Sequence, residues 1–383
     1  MGDKIISQIN YLSDDWQLVH KIIPYGSGLE AYRSLKRIID DFEVPYIIDA
    51  DQSKQGQLLY GKTIVGVDKI KDLDSDSKIV VTIAKRRYAE IKAQLEAIGL
   101  KEYKEFCHIS QFAVEWYYKY NNECNIFSMD VAITTKCTLK CRNCNMFIPY
   151  YKEPISYSFD SIKKNFDLLF ERIDFVFEIG LLGGEPLLNR EINDVIEYLF
   201  EEYANKFGSI CITTNGTLIP PESTLKIFEK YNVIVIISEY KYANIQRGKI
   251  EELTDILNKR EIIFVVRKDL VWSEFGFPSV PMNILDHKVK DHMMKCDPGW
   301  RGLNDGKFFF CNVAWSADKA GLFSLDEKDY INLSDLKPND KSDKIKLLEY
   351  SLGIIPSKYL SFCKVCGGCG EDNTSIVKAG KQL

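Results

Sequence analysis

The 383-residue chain is predicted to be an α/β protein of two or three domains, and three observations carry that reading. The length exceeds what one ordinary hydrophobic core serves. Short β-branched apolar runs alternate with stretches of helical periodicity from Leu18 to Val266, the order that builds parallel sheets. The 11 cysteines, an odd number, are bunched at Cys137–Cys144 and Cys363–Cys369, which in a reducing compartment points to metal or cluster ligation rather than disulfides. Charge and hydropathy exclude other classes. A formal charge of -5, with scattered Lys and Arg, offers no basic field for nucleic acid. No apolar run is long enough to cross a bilayer, so no membrane association is expected. Met1 to Trp16 lacks the charged start and apolar stretch of a secretory signal, so the expected location is cytoplasmic.

Residues 1–125 read as a first domain. A buried strand over Leu18–Tyr25 ends in Gly26-Ser27-Gly28-Leu29-Glu30-Ala31, and Leu29, Tyr32, Leu35, Ile38, Ile39 and Phe42 then recur at helical spacing. Pro45–Asp49 and Lys78–Ile83 read as further strands, and Tyr88–Ile98 as an amphipathic helix. The turn has the G-x-G-x-x-A form of a dinucleotide fingerprint, with Asp49 or Asp51 placed where a ribose hydroxyl would be held. The segment resembles the Rossmann-like modules of surface-polysaccharide enzymes that handle sugar nucleotides. That resemblance implies a domain that holds a nucleotide or phosphate handle at a helix N-terminus, or docks a partner. A tight strand-to-helix turn explains the same two glycines without a ligand.

Residues 126–290 carry the densest chemistry. The strand Phe127–Thr134 feeds directly into Cys137, Cys141 and Cys144, a C-x3-C-x2-C loop. These thiols are too close together to be independent structural cysteines and are one short of a closed four-thiolate site. Soft thiolates suit zinc or an iron-sulfur cluster. Zinc sites close with four protein ligands, and no fourth Cys or His lies near in sequence. A helix follows with Ile162, Phe166, Leu169, Phe170 and Ile173 on one face, then a strand over Phe175–Leu182 and a helix carrying Ile192, Val195, Ile196, Leu199 and Phe200. Strands over Ile210–Thr213, Val233–Ile237 and Ile262–Val266 continue the alternation and predict a parallel sheet curled into a barrel or partial barrel. In such a sheet the functional residues belong at the C-terminal strand ends. The polar motifs fall there: Gly183-Gly184-Glu185-Pro186, Thr213-Thr214-Asn215-Gly216 and Ser238-Glu239-Tyr240.

These motifs, in this order behind the cysteine loop, resemble the radical S-adenosylmethionine (radical SAM) superfamily. The resemblance implies a partial (β/α)6 barrel and a 4Fe-4S cluster on Cys137, Cys141 and Cys144, whose open iron takes the amino and carboxylate groups of SAM. It places Gly183, Gly184, Glu185 and Pro186 at the SAM amino group, Thr213 or Asn215 near the ribose, and Ser238 at ribose or carboxylate. Glu239 and Tyr240 would face the substrate and, with Arg267, are the candidates for proton work. Cys369 and Cys211 are candidate hydrogen donors should they face the pocket. Asn143 stands where the family has an aromatic residue, so Phe147 or Tyr150 takes the adenine contact in this reading.

Residues 291–383 form the third expected domain, a small α+β unit. Cys296 and Cys311 bracket a hairpin, Gly299-Trp300-Arg301 through Phe310, turned at Asp305-Gly306. Cys363, Cys366 and Cys369 follow. A cysteine pair across a hairpin ahead of C-x2-C resembles the truncated SPASM, or twitch, domain with one auxiliary 4Fe-4S cluster. Cys296, Cys311, Cys363 and Cys366 are the expected ligands, with Cys369 a substitute or a free thiol. A zinc site on the same residues, with His292, is the alternative. Together the resemblances imply an enzyme that cleaves SAM reductively and abstracts hydrogen from a small polar substrate, a carbohydrate or nucleotide-linked sugar, for oxidation or epimerisation. A flavodoxin or ferredoxin would serve as reductant. A peptide-modifying radical enzyme and a non-catalytic iron-sulfur carrier are the other two classes.

Overall fold

The computed structural model describes residues 10–383 except 75, 244–247, 269, 297–300, 356 and 371. Met1 to Ile9, and Gly299 and Trp300 of the expected hairpin, lie outside the described residues. Contacts divide the chain into two units, the first gathering Met1–Phe127 with Asp174–Glu178 and Phe207–Ser209, the second the remainder.

In the first unit, β1 (Lys21–Tyr25) starts three residues later than expected. Asp14–Leu18 makes a 3-10 turn that buries Trp16 instead of joining the strand. The helix α1 (Leu29–Asp41) follows, burying Ala31, Ser34, Leu35 and Ile38. Strands β2 (Ile47–Ile48), β3 (Leu58–Leu59), β4 (Lys62–Val65) and β5 (Ser77–Val81), helix α2 (Tyr88–Ala97) and β6 (Phe106–His108) complete a sheet of order β3-β4-β2-β1-β5-β6. All its pairings are parallel except the β3–β4 hairpin. That hairpin and β6 escape sequence reading because runs of two to four residues carry no periodicity. After β6, the chain coils through α3 (Ile109–Gln111), a π-helical turn (Phe112–Trp116) and α4 (Tyr117–Asn121).

The glycine turn after β1 divides into one obligatory glycine and one free one. Gly26 has φ +116°, and a Cβ there would lie 2.6 Å from Ile83 and 2.8 Å from the Thr82 carbonyl. A Cβ on Gly28 would meet nothing within 4 Å. Asp49 closes the turn from below: one carboxylate oxygen accepts from the Ser27 amide at 2.8 Å and its hydroxyl at 2.5 Å, while the other takes the Asp51 amide at 2.9 Å. Burial raises this carboxyl, but those hydrogen bonds outweigh it and hold it below its ordinary value.

The chain continues with β7 (Asn125–Thr134), α5 (Phe159–Phe170), β8 (Phe175–Gly183), α6 (Ile192–Tyr203), β9 (Phe207–Thr214), α7 (Glu222–Lys230), β10 (Ile234–Ser238), α8 (Lys249–Lys259) and β11 (Phe264–Arg267), which belong to the second unit except for the first residues of β7, β8 and β9. Each helix shows one apolar stripe; in α5, Ile162, Phe166, Leu169 and Phe170 are buried, and the Ser158 hydroxyl caps the first turn. The strands line up in chain order, with β10 parallel to both neighbours. Beyond β7 the sheet continues into β13 (Gly302–Asn304), β14 (Lys307–Phe309) and β15 (Ile331–Asn332), so the Asp305-Gly306 hairpin extends the same sheet. Around it lie α9 (Asp286–Cys296), α10 (Asn312–Lys319) and α11 (Lys341–Ser351), while β12 (Val271–Ser273) pairs antiparallel with β16 (Ile376–Lys378). Among the described residues, no helix is long and apolar enough to cross a membrane.

Candidate active site

The cysteine loop leaves β7 and is pressed against the end of β8. A Cβ on Gly183 would fall 1.9 Å from the Thr134 carbonyl, and one on Gly184 2.1 Å from the Lys136 carbonyl and 2.8 Å from Cys137 Cβ. Only glycines allow this approach. The contact is fixed by the Gly184 amide on the Thr134 carbonyl at 2.9 Å and the Glu185 amide on the Lys136 carbonyl at 2.8 Å.

Glu185 then links β8 to β9. Its side chain is fully buried and accepts from the Thr214 hydroxyl at 2.8 Å, the Asn215 amide at 2.8 Å and the Leu187 amide at 3.3 Å. Burial pushes this carboxyl up to about 7 despite those bonds. A carboxylate offers about four acceptor positions, so three donors leave room for one more. Asn215 passes the link back to the cysteines: its Nδ2 donates to Cys137 Sγ at 3.5 Å and to the Thr138 hydroxyl at 3.0 Å, while its Oδ1 accepts from the Thr217 amide and hydroxyl. Three sequence motifs are therefore one hydrogen-bonded network.

The family description "Radical SAM superfamily" matches residues 131–238, the stretch that contains all of this geometry. Residues 131–238 are a radical SAM domain. A second description, "C2185-like, N-terminal", matches residues 18–106. The GTP 3',8-cyclase of Syntrophomonas wolfei is 33% identical over 98 residues, 25% of this chain and 29% of that protein, so the match spans under a third of the relative's length. The structure of BtrN in complex with AdoMet and 2-DOIA aligns with a TM-score of 0.44 at 17% identity, covering 66% of this chain and 98% of that one. The structure of anSMEcpe with bound AdoMet and a Cp18Cys peptide aligns with a TM-score of 0.38 at 15% identity, covering 63% and 89%.

A radical SAM domain implies a 4Fe-4S cluster and SAM, and the soft sulfur donors of the cysteine loop suit such a cluster in their chemistry. Cys137, Cys141 and Cys144 are free thiols. Burial pushes Cys137 up to about 12, Cys141 up to about 11 and Cys144 upward, so these sulfurs resist ionising unless iron replaces the proton. N–H groups point at them all the same. Leu139 N and Asn215 Nδ2 approach Cys137, Gln382 Nε2 lies 3.3 Å from Cys141 Sγ, and backbone amides of Met146, Phe147 and Ile148 serve Cys144. Hydrogen bonds to sulfur are what cluster thiolates use.

The remaining expected contacts are placed as follows. Thr213 pairs with Ile236 and is half-buried, while its neighbour Thr214 makes the bond to Glu185. Pro186 is buried and opens a short 3-10 turn capped by Glu185. Ser238 is buried at the end of β10 and hydrogen-bonds Tyr240. Burial, with the charges of Cys141, Cys144 and Cys137 adding to it, drives the Tyr240 phenol upward, so the ring stands beside the cysteine loop. The Glu239 amide donates to the Arg267 carbonyl at 3.0 Å, and both side chains are half-buried. Asn143 donates to both Glu274 oxygens. Phe147 is 2% exposed, edge-on to Phe277 at 5.6 Å.

The second set of thiols converges in the same unit. Cys369 Sγ lies 3.7 Å from Cys296 Sγ, and the Cys369 amide donates to Cys296 at 3.4 Å. The Gly368 amide does the same for Cys366 at 3.4 Å. The Cys369 thiol, ahead of the Cys369 amide and the charge of His292, draws Cys296 down to about 7 and is itself pushed up. Cys311, Cys363 and Cys366 are all raised, first by burial and then by nearby thiol charge, that of Cys296 at Cys311 and those of Cys311 and Cys296 at Cys363 and Cys366. Both nitrogens of His292 are engaged, Nδ1 with Asp372 at 2.8 Å and Nε2 with the Cys366 carbonyl at 3.0 Å. Arg301, lowered to about 10 by burial, brings its charge beside Cys311 and Cys296.

A groove of about 1060 Å³ is bordered by Arg142, Asn143, Glu274, His292, Lys295 and Gly367, several of them chain neighbours of the cysteines. Sequence reasoning missed Thr138, Arg301 and Gln382. Thr138 and Arg301 sit inside stretches read for their cysteines and turn, and no local signal marks Gln382.

Proposed function

We propose that this chain is a radical SAM enzyme that abstracts hydrogen from a small polar substrate, a carbohydrate or nucleotide-linked sugar, for oxidation or epimerisation. The observation that carries the radical chemistry is the single network from Glu185 through Asn215 to Cys137. A reduced 4Fe-4S cluster, when bound, supplies the electron that cleaves SAM to methionine and a 5'-deoxyadenosyl radical. The chain's own residues then have three tasks. Cys137, Cys141 and Cys144 hold the iron; the glycine-built edge at Gly183-Gly184 and the remaining acceptor capacity of Glu185 receive the SAM amino group; and Tyr240 walls the site beside the thiols. Positioning the reacting carbon and excluding water are what the fold contributes beyond the cofactor.

Cys296, Cys311, Cys363 and Cys366 would hold the auxiliary cluster, with Cys369 in contact as a spare ligand. A cluster held there would supply an acceptor for the electron of a substrate radical, the chemistry that an oxidation needs. Support for a sugar-nucleotide substrate comes from the first unit, whose parallel order β4-β2-β1-β5-β6 and open position at Gly28 suit a phosphate handle. The test is anaerobic turnover with deuterated sugar nucleotides and, in parallel, deuterated peptides. Deuterium in 5'-deoxyadenosine from the sugars alone supports the proposal, transfer only from peptides replaces the substrate class, and no 5'-deoxyadenosine from any of them overturns the enzymatic reading.

A further inference from the structure

Residues 380–383 return to the cysteine loop and pair with it. Cys141 and Gln382 form an antiparallel bridge; the Arg142 amide donates to the Lys381 carbonyl at 2.8 Å and the Leu383 amide to the Lys140 carbonyl at 2.9 Å. Within this strap the Gln382 side chain is fully committed. Its Oε1 accepts from the Lys140 amide at 2.8 Å, and its Nε2 donates to the Gly380 carbonyl at 2.7 Å and to Cys141 Sγ at 3.3 Å. Turning the amide over would set a donor against the Lys140 N–H and an acceptor against the Gly380 carbonyl, so the N–H at Cys141 is locked in place. The strap is seated from behind as well. β16 is paired with β12, and Gly380, at φ +72°, comes so close to Tyr240 that a Cβ would lie 2.3 Å from its Cβ.

We propose that Gln382, 241 residues beyond the thiol it touches, is a positioning residue that sets the reduction potential of the cluster on Cys141. The inference rests on Cys137, Cys141 and Cys144 being the cluster ligands. Reduction adds negative charge to the cluster and its sulfurs; an N–H aimed at one of them stabilises that state, and the strap keeps water from the same sulfur. Hydrogen bonds to sulfur and solvent exposure are the levers a protein has on cluster potential. Leu139 and Asn215 both serve Cys137, whereas Gln382 serves Cys141 from outside the motif segment.

The experiment is an EPR-monitored redox titration of the reconstituted full chain, following the signal that changes when SAM is added, which belongs to the cluster with the open iron. Gln382→Leu removes both donors at similar size. Gln382→Glu keeps an oxygen for the Lys140 amide but sets a charged acceptor against Cys141 and the Gly380 carbonyl, so it adds negative charge to the loss of the donor, and the leucine variant reads the donor alone. Iron content should match the wild type in both. The expected result is a lower midpoint in both variants, about tenfold in the reduction equilibrium or about 59 mV for a one-electron couple, and lower for Glu than for Leu. A leucine-variant midpoint equal to the wild type overturns the proposal, whatever the charged glutamate variant does. A wild-type protein with no SAM-responsive signal overturns the ligand reading beneath it.

Discussion

Replacing Glu185 with Gln gives the sharpest check on the network that joins the motifs, because its effect on stability differs between the two sides of one pKa. The buried carboxyl sits near 7, against an ordinary value of 4.5. A raised carboxyl means that the folded chain holds its proton after the unfolded chain has lost it. Stability therefore falls as pH rises from about 4.5 to about 7 and stays reduced above that; the shift of about 2.5 units corresponds to about 3 kcal/mol. Glutamine does not titrate, so its profile lacks this slope. It is not a free substitution, since its one oxygen cannot serve both the Thr214/Leu187 side and the Asn215 side. One buried donor then faces an NH2 group, at a cost of about 1–3 kcal/mol. At pH 5 the variant should be less stable than wild type by that amount; at pH 8 the two effects offset and the curves approach or cross. Urea unfolding of the metal-free chain across this range reads both. Parallel curves at all pH values would refute the buried carboxyl's role, and additive effects of Glu185→Gln and Thr214→Val would refute the network, since residues sharing a hydrogen bond should couple by at least about 0.5 kcal/mol.

Three further outcomes are expected. His108 has the opposite sign: burial lowers it to about 4, with Nε2 on the Ile83 carbonyl, so its contribution is present above about 6.5 and lost as pH falls toward 4, by up to about 3 kcal/mol; His108→Gln should flatten that acid loss in unfolding curves, and an unchanged difference between pH 7 and pH 4.5 would count against it. Gly184→Ala should prevent cluster assembly, because the new methyl meets backbone at 2.1 Å, whereas Gly28→Ala, with open space around it, should change stability by less than about 0.5 kcal/mol; absorbance at the cluster bands and thermal unfolding distinguish the two. Cys311→Ala should lower iron from about eight to about four per chain, the difference of one four-iron cluster, while SAM cleavage continues; a chain that starts at about four iron has no auxiliary cluster.

What the sequence made legible follows the range of the forces involved. Strand-helix alternation from Phe127 to Arg267 is local, since apolar residues repeat at the period of each element, and each expected strand is present with ends shifted by at most three residues. The strand-end motifs are local too. Their partners are not: nothing near Glu185 in sequence says that its oxygens go to Thr214 and Asn215, and nothing near residue 382 says that it meets Cys141. The glycines show the same limit. Gly26 and Gly28 look alike in a fingerprint, yet one is demanded by Ile83 and Thr82 and the other by nothing in the chain. The Asp305-Gly306 hairpin was readable because its turn is encoded by adjacent residues at φ +54° and +73°, but its attachment to β7 through Gly302 and Asp130 was not.

Phe147 carries the remaining step, because it joins what sequence reading treated as separate chemistry. Its amide donates to the Cys144 carbonyl at 3.0 Å, so its backbone belongs to the first cysteine loop. Its ring belongs to an apolar cluster with Val313, Ala314, Phe362 and Cys366, against which Cys311 also packs. The two sets of thiols are thus joined through one residue, its backbone in the first loop and its buried ring against the second set. A ring held on every side at 2% exposure cannot move without disturbing both sets. Phe147→Ala should therefore destabilise by about 3–5 kcal/mol, as large-to-small changes in cores do. It should also alter the spectra of both cysteine sets once iron is loaded, whereas Phe166→Ala, a core truncation in α5, should lower stability and leave the spectra unchanged. Spectra that respond alike to the two substitutions would show that Phe147 fills space and does not couple the two centres.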